Sequence, residues 1–264
     1  MKRVGLGLLT SALAAAALVP LAHAADMALP PTAPAPYYKP AIYDWTGIYF
    51  GGQVGGSFLT DTVTETTTTV LQTAGHSGNI SSLGFLGGGQ VGANYEWAPW
   101  VVGIEGSFAW SGFGNSVTSP ALPTFLGAGG GFFERATSTP QWIAAATGRF
   151  GYASDAVLFY VKGGAAWMNV NYTQDVLSAG TLVATSSIQD TRTGFTAGAG
   201  IEYGFTENFS GKIEYDFYDF GTRNYIFPVN GAATFALPTS IKSEMHTLMA
   251  GINYRFNWAG GRPY

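Results

Sequence analysis

The chain has 264 residues, 47% of them hydrophobic and only 11% charged, with a formal net charge of −4 and no cysteine. Without Cys there is no disulfide framework, no thiol-ligated metal site and no lipid-anchored mature terminus, and the negative charge argues against a nucleic-acid partner. The 37 Gly, 18 Phe and 14 Tyr suit strands and turns better than helices.

Lys2 and Arg3 open the chain, an apolar stretch rich in Ala and Leu follows, and Ala22-His23-Ala24 ends it. This is the pattern of a secretory signal peptide, residues 1–24, cleaved between Ala24 and Ala25. A retained anchor is the weaker reading, because Gly5, Gly7, Thr10 and Ser11 interrupt the apolar run. Loss of Lys2 and Arg3 leaves 10 basic against 16 acidic side chains. Residues 25–44 carry Pro30, Pro31, Pro34, Pro36 and Pro40 and read as an extended periplasmic linker in polyproline II conformation.

From Trp45 onward, segments with a period of two recur. Residues 45–58 set Ile48, Phe50, Val54 and Phe58 against Tyr49, Gln53 and Ser57. The same alternation returns over 82–97, 101–110, 141–152, 157–170, 195–205 and 209–218. The last run, HTLMAGINYRF over 246–256, opposes Leu248, Ala250, Ile252, Tyr254 and Phe256 to Thr247, Met249, Asn253 and Arg255. Connections alternate too: 97–100 (WAPW), 153–156 (ASDA) and 206–208 (TEN) are tight, whereas 59–81, 111–140, 171–191 and 219–243 read as long loops. The pattern predicts an all-β fold, an eight-stranded antiparallel up-and-down transmembrane β-barrel over 45–256. Four long loops then face outward, the termini lie in the periplasm, and 257–264 form a short tail.

The placement of charge decides which solvent the apolar faces meet. With each strand's phase fixed by its apolar residues, Glu96, Glu105, Arg149, Lys162, Glu202, Lys212, Glu214 and Arg255 all fall on the opposite face. A soluble barrel would carry its charges outside. Eight strands enclose an interior only wide enough to be filled by side chains, so these eight predict a paired lumen charge network near the short turns, with charges that cancel. On the other face Trp97, Tyr152, Phe159, Phe205, Phe209, Tyr254 and Phe256 gather at the turn end, and Phe58, Trp110, Trp142, Trp167 and Phe217 at the loop end. Two aromatic girdles around an uncharged band predict a wall that meets lipid and lipopolysaccharide.

The signal peptide, the Pro-rich start, WTGIYFGGQVGG, KIEYDFYDFG and the closing GINYRF together resemble the small alphaproteobacterial outer-membrane proteins, a porin-like family of surface immunogenic proteins with an OmpA-type eight-stranded barrel. The resemblance covers the whole mature chain. It implies localisation in the cell outer membrane and an assembly signal at Tyr254 and Phe256 read by the barrel-assembly machinery. NWAGGRPY follows Phe256, so that signal is not flush with the carboxyl terminus. The resemblance also implies that the amine of Ala25, which Asp26 follows, can be joined to peptidoglycan.

Some eight-stranded barrels modify lipid A, a chemistry that needs catalytic side chains. Only His76 and His246 survive export. His76 lies in a Thr-rich loop and reads as solvated. His246 falls on the lipid face near the outer rim, with Ser243 and Glu244 nearby, but Glu244 reads onto the opposite face and a rim histidine meeting headgroups fits better. No catalytic, metal or cofactor residue is assigned. GGGQVG lies within a strand, where no helix follows to bind phosphate. The expected function is a structural barrel that stabilises the envelope and displays its loops, with a peptidoglycan tether as an added reading. A narrow porin-like diffusion channel is the alternative, and a lipid A modifying enzyme ranks third.

Overall fold

In the computed structural model of the chain, the described residues are 43–66, 75, 77–111, 117–118, 122–123, 132–178, 181–229 and 232–256. The expected signal peptide, the linker up to residue 42 with Ala25, His76 and the tail after Phe256 lie outside them.

Period-2 patterning rich in aromatic and β-branched residues produces strands β1 (Gly47–Glu65), β2 (Ser77–Trp97), β3 (Trp100–Ser111), β6 (Phe132–Ser154), β7 (Val157–Ser178), β8 (Thr181–Gly204), β9 (Phe209–Val229) and β10 (Ala232–Phe256). Two short pieces, β4 (Val117–Thr118) and β5 (Leu122–Pro123), pair with β6 and take no part in the ring. The hydrogen-bonded order is β3-β2-β1-β10-β9-β8-β7-β6, and antiparallel pairing of β3 with β6 closes it. The β1–β10 seam runs from Ile48↔Phe256 to Glu65↔Thr239. Closure pairs the backbone groups around the ring and leaves no strand edge for lipid, the condition for spanning a bilayer with strands.

From Met245 to Phe256 the expected faces are the observed faces. On β10, Met245, Thr247, Met249, Asn253 and Arg255 are buried, whereas Leu248, Ala250, Ile252 and Phe256 are exposed. The turn-end girdle interlocks: Phe50 lies 5.7 Å from Tyr254 and 5.5 Å from Phe256, and Phe209 lies 5.0 Å from Tyr254 between ring centroids. At the loop end Phe108 packs 4.7 Å from Trp110 and 5.6 Å from Trp142.

Strand length departs from expectation. A tilted strand crosses a bilayer in about 9–11 residues, yet among the described residues β3, with 12, is the only ring strand near that length, and the other seven run 19–25. Much of the expected loops 59–81, 171–191 and 219–243 is therefore strand that continues beyond the membrane; β7 and β8, for instance, stay paired up to Ser178↔Thr181. These extensions are rich in Thr and Ser. Thr favours β structure without the apolar alternation that marks a lipid-facing strand.

Two close approaches fix the wall. Tyr49 on β1 lies over its cross-strand partner Gly92, and Tyr160 on β7 lies over Gly200, so that a Cβ at either glycine would come within 2.4 or 2.5 Å of the tyrosine ring. Only glycine leaves room for these rings to turn into the lumen.

Candidate functional site: the barrel lumen

The interior is built in layers, beginning at the turn end. Trp45, expected as the first strand residue, sits instead in the mouth ahead of β1 and is fully buried with Tyr43 beside it, their ring centroids 4.5 Å apart. Val101, Leu158 and Tyr160 complete this small apolar cluster. Glu96 accepts the Trp45 backbone N–H at 2.8 Å, and Arg255 donates to the Trp45 carbonyl.

The charge network comes next, and all eight expected residues are buried. Arg149 reaches Glu202 at 2.9 Å and Glu105 at 3.7 Å. Lys162 reaches Glu214 at 2.7 Å and Glu105 at 3.3 Å, while Lys212 lies 3.1 Å from Glu214 and 3.7 Å from Glu105. Glu202 also receives Arg255 at 3.4 Å, Ser210 at 2.6 Å and Asn253 at 2.9 Å. Tyr49 donates to Glu105 at 2.8 Å and Tyr160 to Glu214 at 2.6 Å, and the Arg149 guanidinium lies 3.8 Å from the centre of the Tyr160 ring. Arg149, Lys162 and Lys212 are each shared between carboxylates and Arg255 pairs with Glu202, which is the condition for burying such charges at tolerable cost.

Asp216 corrects the expected balance. It is buried 3.3 Å from Lys162, so the network holds five acids against four bases rather than equal numbers. Asp216 has the parity of Lys212 and Glu214 on the segment 209–218, so its place on the lumen face was legible in the sequence. Tyr49 and Tyr160 were legible in the same way, by parity alone.

Above the network the lumen turns apolar, which the polar-face reading did not anticipate. Leu59, Leu86, Ile143, Met168, Phe220, Met245 and Met249 are among the buried residues packed there. Between the layers, a cavity lined by Gln53, Ser107, Asp216 and Thr247 measures about 10 Å³, room for roughly one water.

A second polar group lies toward the loop end. Arg192, fully buried, donates to the carbonyls of Phe220 at 3.3 Å, Gly221 at 2.7 Å and Ile241 at 3.0 Å, and to Tyr172 at 3.0 Å and Ser243 at 2.8 Å. These carbonyls lie where the β9–β10 register shifts and Gly221 takes a positive φ of 64°. The arginine thus satisfies groups that the shift withdraws from the ladder. Ser243 in turn donates to the buried Asp61. Higher still, Asp190 accepts from Arg223 and Tyr225, each at 2.6 Å. Partial burial pushes the Asp190 carboxyl up, but these hydrogen bonds and the Arg223 charge outweigh it and hold the group below the usual carboxylate range.

The structure corrects one face assignment. Glu244 shares the outer wall with His246, two residues along the strand, and it is Ser243 that turns inward. His246 bonds Tyr215 at 2.7 Å and packs 5.1 Å from Phe217 in the loop-end girdle, and Glu244 pairs with Lys242 at 2.6 Å. Ser243, His246 and Glu244 are therefore split between two faces of the wall and do not converge. Among the described residues no cluster of His, Asp or Glu suits a metal ion.

A closed ring of strands with an uncharged outer wall between aromatic girdles, and its charges drawn inside, is an outer-membrane β-barrel. The chain belongs to the outer membrane protein β-barrel domain family, whose profile matches residues 11–256. It is 30% identical over 219 residues to the 31 kDa outer-membrane immunogenic protein of Brucella melitensis, covering 81% of this chain and 85% of that one. It is 26% identical over 247 residues to the 25 kDa outer-membrane immunogenic protein of Brucella abortus, covering 91% and 95%. Among solved structures, OprG of Pseudomonas aeruginosa aligns with a TM-score of 0.40 at 14% identity, covering 80% of this chain and 97% of that one. The Escherichia coli outer membrane protease OmpT aligns with a TM-score of 0.47 at 9% identity, with the same coverage.

Proposed function

We propose that this protein is a structural barrel that stabilises the outer membrane, displays its extended hairpins at the cell surface and passes no solute through its lumen. One observation carries this reading: side chains fill the interior from the Trp45 mouth through the charge network to the apolar layer. A diffusion channel needs a continuous wet path, and the packed layers of side chains among the described residues favour a closed lumen over one. The Brucella relatives are immunogenic, which agrees with surface display. Liposomes carrying the folded barrel should swell no faster than protein-free liposomes in arabinose, and swelling at a porin-like rate would overturn the proposal.

The same reading gives the ends of the chain a role. The outer wall meets lipid and lipopolysaccharide. Tyr254 and Phe256, packed into the turn-end girdle, serve as the signal for the barrel-assembly machinery. After signal-peptide cleavage, the Ala25 amine is joined to the diaminopimelate of peptidoglycan. Residues 25–42 in polyproline II conformation, at about 3.1 Å each, would span roughly 55 Å toward the wall. Cell walls digested with muramidase and protease should yield the peptide beginning at Ala25 with a muropeptide on its amine. Only unmodified peptide, with all the protein extractable in hot detergent, would rule the tether out.

A further inference from the structure

The residues just before β1 are held by more of the barrel than a chain terminus needs. Trp45 is fully buried, its N–H bound to Glu96 of β2 at 2.8 Å and its carbonyl bound by Arg255 of β10. The Arg255 guanidinium lies 4.9 Å from the Trp45 ring centre and 5.5 Å from those of Tyr43 and Tyr49. Arg255 is itself fixed to Glu202 of β8 at 3.4 Å, and its backbone exchanges hydrogen bonds with Asn208 at 2.7 and 2.9 Å. Tyr43 packs into the cluster with Val101 and Leu158, and a Cβ on Gly204 would come 2.3 Å from its ring. Strands β2, β3, β7, β8 and β10 all contribute to this seat.

Its geometry matters if force acts on the amino terminus. A pull there would otherwise act directly on β1, first at its opening rungs Gly47↔Asn94 and Ile48↔Phe256. A residue with its indole buried and its backbone N–H and carbonyl both gripped must come out first, and extraction exposes apolar surface and takes a partner each from Arg255 and Glu96. We propose that Tyr43 to Trp45, latched by Arg255, form a load-bearing clamp that shields the β1–β10 seam from tension on the amino terminus. Its biological use rests on the peptidoglycan tether; its existence does not.

The test is single-molecule extraction of the mature protein from a supported bilayer, pulled by its amino terminus. The clamp predicts a rupture peak before stepwise removal of β1. Tyr43→Ala and Gly204→Val, which displace Tyr43 while leaving Arg255 and Glu202 paired, should lose or shrink that peak, and Trp45→Ala should abolish it. Each variant is first checked for heat-modifiable migration, so that only closed barrels are compared. No early peak in the native protein, or an unchanged peak in all folded variants, overturns the clamp. Loss of the peak in the variants alongside unmodified Ala25 peptide in cell walls supports the clamp and removes only the tether.

Discussion

Arg149 and Glu202, 53 positions apart in the chain, meet at 2.9 Å inside the lumen with side chains 1% and 0% exposed. Removing either charge takes the nearest partner from the other in a dry interior, leaving Glu202 with Arg255 at 3.4 Å or Arg149 with Glu105 at 3.7 Å. Arg149→Met or Glu202→Gln alone should destabilise the barrel by about 3–5 kcal/mol, and the double variant by less than the sum. Urea titration of folding into micelles, followed by heat-modifiable migration, measures all three. Additive costs would mean that the two act independently.

The tyrosines over glycine give a second expectation. Gly200→Val drives a side chain into the Tyr160 ring and toward the Ile213 carbonyl, 2.9 Å from the new Cβ. The cost should be about 1–3 kcal/mol from overpacking. It should shrink in a Tyr160→Ala background, where the ring is gone. The same titration reads both, and an undiminished cost would place the clash elsewhere.

Depth sets the cost of charge on the outer wall. Ile252 is 59% exposed within the apolar band and Ile48 is 42% exposed at the turn end. Arginine at Ile252 should cost about 2–4 kcal/mol and at Ile48 about 0–1 kcal/mol in a lipid bilayer. Equal costs would contradict the assignment of this face to lipid.

Arg192→Met should loosen the loop-end half alone. It withdraws donors from three carbonyls and from Ser243, at about 1–3 kcal/mol for each buried group left unpaired. Amide exchange should accelerate at the upper ends of β8, β9 and β10 while the rungs around Glu202 and Glu214 keep their protection. Uniform acceleration would show the two polar layers to be one cooperative unit.

The wall was legible because lipid enforces a strict rule: on every membrane segment one face had to be apolar, and the parity that placed Ile252 outside also placed Arg255 inside. The charge network followed from that parity. The Asp216 excess was open to the same parity, whereas the pairings were not, because partners come from strands distant in sequence. The apolar upper lumen was hidden for a related reason. Where Ala165-Ala166-Trp167-Met168 is apolar on both faces, period two carries no contrast. Asp61 and Ser243 lie in stretches read as loops, and Arg192 between the loop 171–191 and the strand 195–205, where no phase was assigned. Trp45 gave no sign of leaving the strand, since its place depends on Glu96 and Arg255.

Conductance across a planar bilayer tests the central claim most directly. Folded protein, shown by its migration to be closed, is inserted and held under voltage in concentrated potassium chloride. The filled lumen predicts no discrete current steps above the bare-membrane baseline. Reproducible steps that persist after repurification, and disappear when the protein is unfolded, would mean that the layers from Trp45 to Met245 open a path for ions and that the barrel is a channel.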